Sequence, residues 1–251
     1  MTRIGVQLYS LRETPGTLPE LLAAVGNTAF EGVEFAHRYA DADTTSVVDA
    51  LDNAGLDVAG AHVGLDAMRE RPARLIADYD PVGCSRFVLP HVPPGRVGSA
   101  DAIDALAAEL YAAAASVESV GGTVGYHNQA HDFVPVDGQC AFDALVEQTD
   151  AVVSFELDVG GAVTAGVDPV ALVERYGDRI DMIHLKDVSV SHPSTDTSQR
   201  CVPIGTGDVD LSGVVSASKT AGVEWLLYEN DDPKDPEQAL DRGARTLARL
   251  R

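Results

Sequence analysis

Lysine is scarce in this sequence. Of 18 basic residues, three are lysines (Lys186, Lys219 and Lys234), against 39 acidic residues and a formal net charge of −21. A chain so short of positive charge is poorly suited to neutralise a phosphate backbone, which argues against nucleic acid as a partner. Acidic, lysine-poor surfaces suit a cytoplasm of very high salt, where self-repulsion is screened. A halophilic source is therefore expected; an ordinary acidic protein from a high-GC genome is the alternative.

Cysteine is scarce too. Cys84, Cys140 and Cys201 are odd in number, far apart and form no CxxC pair, so neither a zinc ribbon nor a disulfide framework is in prospect. All three read as structural or incidental. No run approaches the roughly 18 uncharged apolar residues of a membrane span. The N-terminus runs straight into a strand-like pattern without an apolar leader, so a soluble, cytoplasmic protein is expected. No GxGxxG follows the first strand, which removes support for a dinucleotide fold.

What is present is alternation. Short apolar runs rich in β-branched residues fall at 3–9, 32–35, 56–63, 86–90, 122–128, 152–158, 180–186 and 223–229. Amphipathic stretches separate them at 18–29, 45–54, 100–120, 142–149, 169–176, 211–221 and 236–250, with a less distinct one within 69–82. Such alternation marks parallel βα units. Gly55, Gly121 and Gly222 stand between a helical stretch and the next strand, as glycine C-caps of tight αβ turns would. The length of 251 residues is close to the roughly 250 of one closed barrel. The expected fold is α/β, a single (β/α)8 TIM barrel over residues 1–251, without a linker. The one long irregular segment, 187–210, follows the seventh strand and would lie over the barrel's C-terminal face, where such loops are functional more often than idle.

The ionisable residues carry the functional signal. Strand after strand ends in one: Glu34, His62, then His91 just past the fourth, His127 with Asn128, Glu156 and Asp158, His184 and Lys186, and Glu229. Glu156 and Asp158 are two apart and share one side of their strand, as do His184 and Lys186. In a parallel barrel these ends converge on the face where active sites are built. Inward carboxylates and imidazoles there need a partner, because unpaired buried charge is costly; a divalent cation supplies one. Each residue alone has a plainer reading as a hydrogen-bonded histidine, a helix cap or an ion pair, but seven strands ending alike do not. His37, Asp41 and His192 read as loop surface, and His131 and Asp132 as residues that shape the loop after strand five or line the cavity.

These residues carry a resemblance. IGVQLYSLR (4–12), GVEF (32–35), YHN (126–128), ELD (156–158), IHLKD (183–187), GTG (205–207) with Asp210, and Tyr228-Glu229 resemble the sugar phosphate isomerase/epimerase family of the xylose isomerase-like barrels, in order and over the whole chain. The IHLKD run with the following GTG and Asp210 is the most specific part. The resemblance implies one metal held by four residues from strands five to eight, carried over as His127, Asp158, His184 and Glu229. His127 departs from the family's Glu, so only Glu229 matches one of the two metal-bound carboxylates that move the proton. The other role is open to Glu156, Glu34 or Lys186. Gly161 stands where relatives often place Trp, implying a changed pocket.

The expected activity is a metal-dependent sugar isomerase or epimerase working through an enediolate. Mn²⁺ or Co²⁺ is favoured for the mixed nitrogen and oxygen donors, with Zn²⁺ or Mg²⁺ as alternatives. Glu229, Glu156 and Lys186 are the candidate catalytic residues, and an ion pair with Glu156 is the plainer role for Lys186. Gln7, Glu34, His62 and Asn128 are the candidate sugar contacts. A lyase or dehydratase would use the same chemistry and is the main rival. A DNA-repair endonuclease of the superfamily is disfavoured by the charge, and a non-catalytic sugar or metal binder remains the third reading. The expected partner is a non-phosphorylated sugar, with no membrane; the oligomeric state, including a homo-oligomer, is open.

Overall fold

A computed structural model describes residues 2–149 and 151–251. The expected strands form at Arg3–Gln7 (β1), Gly32–Phe35 (β2), Asp57–His62 (β3), Arg86–Leu89 (β4), Thr123–His127 (β5), Val153–Asp158 (β6), Ile180–Leu185 (β7) and Trp225–Tyr228 (β8). All pair in parallel in chain order, and β8 closes on β1. The barrel expectation is met.

The differences are local. The first strand stops at Gln7, whose side-chain oxygen accepts from the Tyr9 amide and turns Leu8–Leu11 into a 3-10 helix. The indistinct stretch before β4 is two helices, Leu65–Glu70 and Pro72–Tyr79. A short helix, Val159–Thr164, follows β6 directly, capped by Asp158. The expected caps Gly55 and Gly222 adopt φ of 64° and 81°, the left-handed conformation that glycine enters without a Cβ clash. Among the described residues no helix is long and apolar enough to cross a membrane.

Period-two alternation sorts the strand residues into two environments. Outward residues such as Val6, Val33, Phe87, Tyr126, Phe155, Ile183 and Tyr228 pack against the helices in the main core. A separate small cluster of Ala59, Val88, Met182, Trp225 and Leu227 plugs the barrel. Gly32 is needed beside it, since a Cβ there would lie 2.5 Å from the Trp225 ring and 2.6 Å from the Asp57 carbonyl. Two residues on from Met182 and Leu227 come His184, on β7, and Glu229, just past the end of β8. The strand pitch therefore stacks a polar layer on the apolar plug, toward the C-terminal mouth.

Candidate active site

The polar layer is buried. Gln7, Glu34 and His184 are fully enclosed, and Glu156, Asp158, His127, Lys186 and Glu229 are each 5% exposed or less. Five buried carboxylates (Glu34, Glu156, Asp158, Glu229 and Asp231) share this layer with one lysine and the imidazoles of His62, His127 and His184.

His184 is the hub. Its Nε2 lies 2.8 Å from Glu34 Oε2 and 2.9 Å from Glu156 Oε1, while its Nδ1 lies 2.8 Å from Glu229 Oε2 and 3.1 Å from His127 Nε2. On the far side of the His127 ring, Nδ1 sits 3.2 Å from the Pro90 carbonyl. Gln129 Nε2 lies 3.3 Å from the same nitrogen but donates to the Pro90 carbonyl at 3.1 Å; a carbonyl can only accept, so it favours the His127 proton on Nδ1 and an Nε2 lone pair facing His184. Burial, then the neighbouring His184, lowers His127 to about 4, so the ring is neutral. Asp158 Oδ2 lies 3.6 Å from that same Nε2. Two imidazole nitrogens and two carboxylates thus converge, with His127, Asp158, His184 and Glu229 offering atoms within 4.8 Å of one another.

This donor set fits a divalent cation. The two nitrogens that could ligate it, His127 Nε2 and His184 Nδ1, have their ring partners engaged by a carbonyl and by carboxylates, an arrangement that suits metal-binding histidines. His184 Nδ1 faces both Glu229 Oε2 and His127 Nε2 with at most one proton to share between them, whereas a cation would satisfy both acceptors. Glu34, His62, Glu156 and His184 form an overlapping group. Its Glu34 Oε1 and Glu156 Oε1 are buried without a well-aligned hydrogen bond.

Lys186 is saturated. Its Nζ contacts Asp158 Oδ2 at 2.8 Å, Glu229 Oε2 at 3.0 Å and Asp231 Oδ2 at 2.8 Å. Burial opposes its charge, but the three carboxylates outweigh burial and hold its pKa well above the ordinary value. The ion pair expected with Glu156 is not what forms. Glu156 lies under His62 and His184; burial resists its ionisation, yet the two imidazoles hold it well below the usual carboxylate range. Burial and the adjacent Glu156 charge instead raise Glu34.

A cavity of about 540 Å³ opens above this layer. His62, His127, Lys186 and Glu229 line it. Glu34, Glu156, Gln7 and Asn128 do not line it. Gln7 is consumed by Glu34, 2.5 Å away, and by the Tyr9 amide. Asn128 clamps β5 to β6: its Nδ2 donates to the Asp158 carbonyl and its Oδ1 accepts the Asp158 amide, at 3.2 and 2.9 Å. The structure thus gives both residues internal hydrogen bonds and places neither in the cavity lining. Gly161 is likewise buried away from the cavity, and a Cβ there would press to 3.2 Å on Asn128 Nδ2.

The cavity gains residues that sequence reasoning set aside. His37, read as loop surface, lines it with His91 and with His131, for which lining the cavity was one of two readings, so five of the seven histidines face it. Asp231 also lines it; its spacing of two from Glu229, like that of Asp158 from Glu156, was the available signal. The 187–210 loop contributes Asp196, Thr197 and Ser198. Asp187 anchors that loop. Its Oδ2 accepts the amides of Gly205, Thr206 and Gly207 at 2.9, 3.1 and 2.8 Å, and its Oδ1 accepts those of Val188 and Val209. The IHLKD and GTG motifs are therefore two halves of one clasp.

The sequence profile of the xylose isomerase-like TIM barrels matches residues 19–250. The chain belongs to the xylose isomerase-like TIM barrel family. Among its relatives is the inosose dehydratase of Geobacillus kaustophilus, 40% identical over 80 residues, which are 32% of this chain and 25% of that protein. The inosose dehydratase of Lacticaseibacillus casei is 30% identical over 134 residues, 48% of this chain and 43% of that protein. Each match thus spans less than half of the relative's length. A sugar phosphate isomerase/epimerase from Parabacteroides distasonis superposes with a TM-score of 0.83 over 99% of this chain and 98% of that one; at 20% identity this likeness is one of fold.

Proposed function

We propose that this xylose isomerase-like barrel holds one divalent cation on His127, Asp158, His184 and Glu229 and removes water from an uncharged polyhydroxy ketone of the inosose type. The observation that carries the reading is the convergence of those four donors at a cavity floor where Glu229 also meets the cavity. Mn²⁺ or Co²⁺ suits two imidazoles and two carboxylates. When bound, such a cation polarises the substrate carbonyl and makes the neighbouring C–H acidic. Glu229, fixed by His184 and Lys186, is placed to take that proton.

Two features favour loss of water over isomerisation. An imidazole stands on β5 where the resemblance implies a second proton-moving carboxylate, and both curated relatives above are inosose dehydratases. The charge of the substrate follows from the lining. Among the described residues that line the cavity there is no arginine, and its one lysine is committed to three carboxylates. Asp196, Glu229 and Asp231 would repel a phosphate. Isomerisation or epimerisation is the second reading, favoured by the IHLKD run and its clasp.

The test is to strip the protein of metal, reload it with Mn²⁺ in high salt, and follow an inosose in D₂O by NMR. Water loss that needs the metal supports the proposal. Deuterium exchange with rearrangement and no water loss supports the isomerase reading. Neither reaction, with metal bound, overturns both.

A further inference from the structure

Loss of water from a hydroxy ketone moves two protons. One leaves the carbon beside the carbonyl, and one must reach the departing hydroxyl, which is a poor leaving group without it. Resting on the function proposed above, Glu229 serves the first step. The second needs a donor that meets the cavity and is not consumed by other contacts.

The candidates read from the sequence do not qualify. Glu34 and Glu156 lie beneath the cavity. The three N–H bonds of Lys186 already point at Asp158, Glu229 and Asp231. His127 is turned by the Pro90 carbonyl to present a lone pair to the metal site. Of the outer histidines, His131 Nε2 is held by the Val92 carbonyl at 2.9 Å, His91 stacks edge-on against His131, and His37 lies beside Arg12 and Arg38, which oppose its protonation after burial itself.

We propose that His62 protonates the departing hydroxyl, with Glu156 as the positioning residue behind it. His62 closes β3 and lines the cavity, its side chain 10% exposed. Its Nε2 lies 2.9 Å from Glu156 Oε2, with Glu34 Oε1 at 3.4 Å. Gln7 Nε2 lies 3.4 Å from that Nε2 and 3.5 Å from Nδ1, and among the described residues no other polar group is recorded near Nδ1. This is a carboxylate–imidazole dyad: the acid fixes the ring through Nε2, and with no acceptor recorded at it the other nitrogen is left for the substrate. β3 and β8 are three strands apart around the ring, so His62 and Glu229 meet the cavity from different sides.

The step balances. Glu229 takes the proton from carbon, the electron pair of that C–H bond forms the C=C bond, and the C–O bond to the hydroxyl breaks. That oxygen takes the His62 proton and leaves as water. No oxidant or reductant is needed, and the proton on Glu229 returns the site to its starting state through solvent.

The test separates the two proton transfers. With an inosose as the probe in D₂O, deuterium entry at the carbon beside the carbonyl reports the first, and water loss reports the second. In His62→Ala loaded with Mn²⁺, water loss falls about 10²- to 10⁴-fold while deuterium entry and KM stay within a few-fold. Glu156→Gln, which keeps the hydrogen bond but not the charge, lowers water loss in the same selective way. Imidazole added to His62→Gly restores it. Elemental analysis shows unchanged metal content, and His62→Gln replaces any variant that fails to fold. Water loss unaffected by these changes overturns the assignment, as does an equal fall in both reactions. A wild-type protein that exchanges without losing water overturns it in favour of isomerisation, whereas a wild-type protein that does neither overturns the proposed function itself.

Discussion

Asp132 offers a quantitative check of how this barrel handles buried charge. It lies in the 3-10 turn after β5 with no exposed surface. Its Oδ2 accepts from the Tyr126 hydroxyl and the Gln129 amide, both at 2.8 Å, while Oδ1 has no hydrogen bond and only His131 Nε2 at 3.4 Å. Burial is the largest influence and lifts its carboxyl from 3.8 to about 6, with Gln129, His131 and Tyr126 pulling back too weakly. The folded chain therefore holds this proton more tightly than the unfolded chain. Between pH 3.8 and about 6 the native state binds more protons, so its stability falls as pH rises through that window. Fully developed above about 6, the penalty is about 3 kcal/mol at ~1.4 kcal/mol per pH unit, and about 1–2 kcal/mol of it appears between pH 5 and 8. Asp132→Asn keeps an acceptor for Tyr126 and Gln129 but cannot ionise. Urea denaturation of both proteins at pH 5 and pH 8, in one salt concentration, reads the difference directly. The variant should gain about 1–2 kcal/mol on the wild type between the two pH values. Stabilities that run parallel, or a wild type that gains on the variant, would refute the reasoning.

His184→Ala and Asp158→Ala should each lose bound metal by elemental analysis while circular dichroism still reports a folded barrel; full occupancy in both removes the ligand assignment. Gly207→Ala should lower stability by about 1–3 kcal/mol and speed proteolysis within 189–204, because its Cβ would fall 2.3 Å from Asp187 Oδ1 and break the clasp. An unchanged melting temperature would mean that the clasp tolerates the intrusion. With a net charge of −21, the protein should melt at higher temperature in about 2 M KCl than in about 0.1 M, since salt screens its self-repulsion. A melting temperature indifferent to salt would remove the halophilic reading.

Much of this molecule is legible in one dimension because barrel strands obey a period of two and share a direction. Parallel strands bring their C-terminal ends to one face, so Glu156 with Asp158, and His184 with Lys186, were paired by counting residues. Asp231 obeys the same count and escaped notice only because it lies three residues past the end of β8. The 187–210 segment was recognisable as a loop over the mouth. That Asp187 gathers the amides of Gly205, Thr206, Gly207 and Val209 was not, because backbone amides carry no sequence signature.

The sequence by itself determined the eight strands, the face on which the chemistry lies and the residue types gathered there, since hydrophobic period and strand direction are local properties. The tertiary structure alone decided which of those residues meet the cavity. Closing the barrel puts side chains from non-adjacent strands within 3 Å of one another, as with His62 and Glu156. Depth along the axis then separates groups that look equivalent in the chain. Glu34, Glu156 and Asn128 sink into internal bonds, while His62 and Glu229 stay at the surface of the cavity. Depth and cross-barrel distance are set by the tilt and stagger of all eight strands together, and no single segment encodes them.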